Sequence, residues 1–149
     1  MASFTVALEA LRAQLENDAA LQAFSQEKWG KALTVEIVFR HRKEIPLKRL
    51  PVILITRPTV RARELPGGRR RAEHGVRMYA GFLQKDPPLA VLEQITFEEH
   101  IDDAVMRDPS LGQAVIDTLV EDSINDEGTL HPTYFTLMEL VVKHQRLIA

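Results

Sequence analysis

Between Pro51 and Leu83 the chain reads as a strand, a turn and a returning strand, and that hairpin limits what the remaining elements can build. Pro51-Val-Ile-Leu-Ile-Thr56 is a β-branched apolar run whose proline sits at the first residue, where a strand tolerates a missing N–H. Unbroken apolarity predicts burial on both faces, and so a central place in a sheet. Beyond Thr56 the sequence turns basic, passes Pro58 and Pro66, and reverses at Gly67-Gly68. The return strand is expected over about Ala72 to Leu83, where Val76, Met78, Ala80 and Phe82 alternate with Arg77, Tyr79 and Gly81.

Helical and further extended segments flank the hairpin. Ser3 is placed to cap a helix whose apolar stripe is Phe4, Ala7, Leu8, Leu11 and Leu15. Asp18 is placed to cap a second, carrying Leu21, Phe24 and Trp29 and ended by Gly30; Trp29 is read as a packing residue. Leu33 to Arg40 alternates with strand period, Val35, Ile37 and Phe39 on one side. Asp86-Pro87-Pro88 opens a helix to about Met106 in which Leu89, Leu92, Ile95, Ile101 and Val105 are read as the inward positions. Ala114 to Ile124 satisfies helix and strand periods in part and is assigned as strand; Tyr134 to Gln145, rich in strand formers, finishes the sheet beside it. The expectation is an α+β fold: a mixed or antiparallel sheet of about five strands packed against two to three helices, with a protruding β-hairpin arm at about 57–77. No repeat, low-complexity tract or linker divides residues 1–149, so a single domain is expected.

Charge is segregated along this chain although its formal net charge is only -2. Arg57 to Arg77 holds seven arginines beside Glu64 and Glu73, whereas Leu92 to Glu127 holds eleven acids and one base, Arg107. Opposite patches favour association with a charged partner or head-to-tail association of identical copies. With no cysteine, disulfides, thiolate metal sites and cysteine nucleophiles are out of reach. No apolar run is long enough for a membrane span, and the first apolar cluster is broken by Glu9 and Arg12, so an intracellular protein without a secretory signal is expected.

Catalytic patterns are mostly missing. His100 with Glu99, Asp102, Asp103 and Asp108 lacks the helical two-histidine spacing of a zinc site and reads as a solvated acidic face. There is no G-x-S-x-G elbow, and Pro66-Gly67-Gly68-Arg69 matches neither a P-loop nor a dinucleotide fingerprint. His131 and His144 have no matched base or orienting carboxylate nearby in sequence, so no catalytic residue, metal or cofactor is assigned. What remains is the arginine arm. Arg57, Arg61, Arg63, Arg69, Arg70 and Arg71 suit bidentate contact with carboxylates, and Glu93, Glu98, Glu99, Asp102 and Asp103, read as an exposed helix face, are the complementary set on a neighbouring copy. The arm lacks the aromatic and amide side chains that read or stack bases, which leaves no specific nucleic-acid recognition.

Taken with this layout, Leu50-Pro-Val-Ile-Leu-Ile-Thr56, Asp108-Pro-Ser-Leu-Gly112 with the ensuing VIDTLVEDS, and His131-Pro before LMELVV resemble the tail terminator (tail completion) proteins of long-tailed bacteriophages over nearly the whole chain. The resemblance implies a non-enzymatic virion protein, assembled in the host cytoplasm. Its members form a hexameric ring at the head-proximal end of the tail tube, stop tube polymerisation and join a head-tail connector protein. Its expected partners are therefore its own copies, the tail tube protein and the connector. The arm and the abundant carboxylates leave open an alternative, a nucleic-acid-binding or nuclease-like accessory protein.

Overall fold

The computed structural model describes residues 3–38 and 45–147, and of residues 63 and 64 only the backbone. Its elements run α1 (Phe4–Glu16), α2 (Ala19–Trp29), β1 (Thr34–Ile37), β2 (Val52–Leu65), β3 (Arg69–Leu83), α3 (Pro87–Met106), β4 (Asp117–Asn125) and β5 (Thr133–Leu147). The five strands form one sheet in the order β1-β2-β3-β5-β4. β1 runs parallel to β2 and every other neighbour is antiparallel, so the sheet is mixed. This is the expected α+β class.

Local chemistry sets the helix ends. The Ser3 hydroxyl accepts from the Thr5 N–H (3.3 Å), the Asp18 carboxylate accepts from Leu21 N–H (2.9 Å), and Gly30 ends α2 with φ +68°. Pro87 and Pro88 fill the first turn of α3 behind the Asp86 cap.

All three helices cover one face of the sheet. Beneath them Ile53, Ile55, Val76, Met78, Phe82, Met138, Leu140 and Val142 are buried against Leu11, Leu15, Leu21 and Phe97. Trp29 stacks on Phe82 (4.9 Å between ring centroids) and meets Phe97 edge-on (5.0 Å), a cluster that sets α2 and α3 on the sheet. A smaller core lies on the opposite face, where Ile45, Leu50, Val52, Leu54 and Phe135 close together. β2 therefore has Ile53 and Ile55 in one core and Val52 and Leu54 in the other, the two-faced burial expected of it.

Four sequence readings change. First, α3 is rolled: Ala90, Glu93, Gln94, Phe97, Ile101, Ala104 and Val105 face inward, while Leu89, Leu92 and Ile95 are exposed. Two polar tethers accompany this rotation. The Gln94 amide donates to Thr136 Oγ1 (2.8 Å), and the Glu93 carboxylate accepts from Trp29 Nε1 (3.0 Å) and Gln84 Nε2 (2.8 Å). Small Ala90 and Ala104 let the helix approach the sheet. Second, β4 begins at Asp117; residues 114–116 lie in the preceding turn, and β4 pairs along β5 to Asn125. Third, β5 does not finish the sheet, because it is inserted between β3 and β4 and leaves β4 as the edge. Fourth, the β2–β3 hairpin is not two-stranded at its far end: β5 pairs with β3 as far as Arg69↔Leu147, opposite Leu65↔Arg69. Phe39 and Arg40, read as the end of the first strand, lie outside the described residues.

Candidate functional site

Strand alternation divides the arm's arginines between two faces. Counting from Val76, which lies under the helices, Arg70, Ala72 and His74 share the helix-covered side, whereas Arg71, Glu73 and Arg77 point to the other. The β3–β5 register brings Arg146 opposite Arg70 and His144 opposite Ala72. Across the β2–β3 register irregularity between Thr56 and Thr59, Arg57 reaches the same region. These side chains and the first turn of α1 border a hollow of about 580 Å³. Within it His74 is 6% exposed, its ring stacked flat on Phe4 with centroids 3.4 Å apart. Burial, then the nearby charge of Arg57 and the His144 ring, push the His74 pKa down to about 4. His74 Nδ1 has no hydrogen-bond partner among the described residues.

On the other face the register lines up Arg61, Glu73, Lys143 and Asp117 as a row of alternating sign across four strands. One row in from the tip Arg71 Nη2 donates to Gln145 Oε1 at 3.5 Å, and Arg77 pairs with Glu139 at 3.3 Å. Arg69, at the turn, donates from Nε to the Pro66 carbonyl (3.1 Å). Arg63 pairs in register with Arg71, and its side chain lies outside the described residues.

The acidic set separates differently. Glu93 is only 4% exposed and holds Trp29 and Gln84, so it is a core acceptor and not a member of an exposed acidic face. Glu98 is half-buried, and Glu99, Asp102 and Asp103 are exposed. Because α3 is rolled, Leu92, Ile95, Glu99 and Asp102 follow one another at three- and four-residue steps along its outer surface. One stripe thus passes from apolar to acidic, with Leu92 64% exposed and Val91 and Leu89 beside it. Neither Arg57, Arg61, Arg69, Arg70 and Arg71 nor Glu98, Glu99, Asp102 and Asp103 form an ion pair among the described residues. Among the described residues the two sets are not joined within the subunit. Arg107, the lone base of the acidic segment, is committed to Asp18.

Sequence reasoning missed Arg146, His74, and the outward turn of Leu92 and Ile95. The i, i+2 spacing of His144 and Arg146 in β5 already put them on one face, but only the register supplies Arg70 as the opposite residue. His100 leans on Phe24 (4.8 Å between centroids), and His131 Nδ1 lies 2.6 Å from the Tyr134 hydroxyl, both packing roles. Among the described residues no group of three histidines or acids is placed to hold a metal ion, and no helix is long and apolar enough to cross a membrane.

The class so defined is an α+β protein with three helices on one face of a five-stranded mixed sheet and a long β2–β3 hairpin backed by β5. The same fold occurs in a chain of the virion of a native gene transfer agent particle, with a TM-score of 0.59 and 13% identity over 97% of this chain and 100% of that one. At that identity the likeness establishes the fold. No protein-family model and no curated protein matches the sequence.

Proposed function

We propose that this chain is a structural protein of a phage-like virion, forming a ring at the head-proximal end of a tail tube. There it ends tube polymerisation and offers the surface that a head-tail connector joins. Fold alone does not assign a role. The observation that carries the reading is the outer stripe of α3, where exposed Leu92 and Ile95 run into Glu99 and Asp102, while Arg57, Arg61, Arg69, Arg70 and Arg71 of the hairpin form no ion pair among the described residues. A closed ring needs two unlike, complementary surfaces on each copy, and these are such a pair. Exposed ion pairs contribute at most about 1 kcal/mol each, so the apolar residues supply the affinity and the charges set register and association rate. The fold shared with a virion chain is in keeping with this reading, as are the motifs resembling tail terminators.

The experiment is to measure the mass of the protein in solution, alone and with tail tubes, and to image the mixtures. A closed ring seated on one tube end, with tube growth halted, is the expected result. Arg57, Arg61, Arg70 and Arg71 all changed to Glu should abolish the ring at ordinary salt. Unchanged ring formation and tube capping in that variant sinks the charge-complementarity reading, and binding of the wild type along duplex DNA in place of tubes sinks the assembly role itself.

A further inference from the structure

We propose that the hollow between the first turn of α1 and the distal sheet is a binding site for a carboxylate side chain of a partner protein, gripped by Arg57, Arg70 and Arg146. Three features converge on it. Arg70 and Arg146 are directly opposite each other on adjacent strands. Like charges in that arrangement repel unless an anion lies near them; Glu64, opposite Arg70 on β2, is described by its backbone alone, and among the described side chains neither arginine forms an ion pair. The N-terminus of α1 borders the same hollow, with its cap at Ser3, and has no acidic residue in its first turn to offset the positive end of the helix. His74, on the wall, is more than nine-tenths buried and its Nδ1 has no partner. Such an atom is costly to leave unmatched in a folded protein, and His74 is one of the residues that line the hollow. Phe4, flat against the imidazole, holds the ring in place.

The lining selects the ligand. Guanidinium forks match a carboxylate in two parallel hydrogen bonds. Phe4, Ala62 and Ala72 form apolar walls that fit the methylene stem of a glutamate. A nucleic-acid strand requires a track of cations with aromatic platforms for its bases, and the phenyl ring that lines this hollow is already stacked on His74. Arg57 and Arg70 also belong to the surface assigned to the neighbouring copy, but Arg146 does not, and peptide binding is read without tail tubes, so its failure and the failure of the assembly reading are separable.

The test is titration of the full chain at low salt with a short polyglutamate peptide, with inorganic phosphate and with a short single-stranded oligothymidylate, followed by the imidazole resonances of His74. Polyglutamate is expected to bind most tightly and to raise the His74 pKa by neutralising its cationic surroundings. Arg70→Gln and Arg146→Gln should each weaken that binding roughly tenfold, as the loss of one charge-assisted hydrogen bond implies. Lys28→Gln, which removes the same charge far from the hollow, should not. Melting curves of both arginine variants verify that they fold. Absence of peptide binding, an equal loss in Lys28→Gln, or tighter binding of phosphate or oligothymidylate than of the peptide overturns the proposal.

Discussion

Arg107 reaches back eighty-nine residues to the carboxylate of Asp18, which at the same moment accepts the N–H of Leu21 and caps α2. One buried acid thus ties the end of α3 to the start of α2. Burial by itself would raise the Asp18 pKa, but the hydrogen bond from Arg107 and that from the Leu21 N–H outweigh it and hold the carboxyl below its usual range. A depressed carboxyl contributes stability above its unfolded pKa and loses it as pH falls through the lower folded value, so the contribution disappears on the acid side, below about pH 4. Asp18→Ala removes the cap and the ion pair and should cost about 2 kcal/mol; Asp18→Asn keeps a capping oxygen and should cost roughly half as much. Urea unfolding at neutral and acid pH checks the order. Both variants should lose stability less steeply than wild type on acidification, the remaining slope including Asp108, whose carboxyl is held low by the Ser110 hydroxyl and the Gly112 N–H.

His74 gives a second pH dependence in a different window. Its folded pKa of about 4 lies below the ordinary 6.5, so between these values the unfolded chain takes up a proton that the folded one refuses. Stability is therefore greatest above about pH 6.5 and declines as pH falls toward 4. His74→Leu keeps an apolar side chain against Phe4 and removes both the titration and the unpaired Nδ1. Denaturant midpoints measured across this window should fall less for the variant than for wild type, and an identical decline would show that His74 does not titrate as placed.

Glu93 tests how α3 is set on the sheet. Its carboxylate is the acceptor for both Trp29 Nε1 and Gln84 Nε2, so Glu93→Ala leaves two donors without it in a site that is 4% exposed. The expected loss is about 2 kcal/mol, with a changed Trp29 fluorescence maximum as the indole loses its partner. Glu93→Gln retains an acceptor oxygen and should lose about half as much. A silent Glu93→Ala would return this residue to the exposed acidic set.

Legibility followed the strength of local signals. Caps at Ser3, Asp18 and Asp86, the stop at Gly30 and the turn at Gly67-Gly68 each depend on neighbours within a few residues, and each is where the sequence placed it. The rotation of α3 was not legible because two stripes compete on that helix. Leu89, Leu92 and Ile95 are the larger apolar residues, yet Ala90, Gln94 and Phe97 win through contacts with Thr136, Phe82 and Trp29 that no helical period encodes. The same holds for the site. Six arginines near a turn were visible as a charge cluster, but their division between two faces and the joining of Arg146 to Arg70 required the register of β5 against β3.

That rotation leads to the sharpest separation of stability from assembly. Leu92 and Ile95 are exposed and outside both cores, so Leu92→Glu and Ile95→Glu should change unfolding free energy by no more than about 0.5 kcal/mol. Each nevertheless places a charge at the apolar centre of the surface assigned to the neighbouring copy, where an unpaired charge must be desolvated on association. Assembly on tail tubes should fail in both variants while their melting temperatures stay at the wild-type value. Phe97→Ala, two residues beyond Ile95 and 1% exposed, should show the opposite pattern, losing about 3 to 5 kcal/mol of stability from the cavity it opens beside Trp29 and Phe82. If instead Leu92→Glu melts far below wild type, the helix is packed by its other stripe and the exposed apolar surface does not exist.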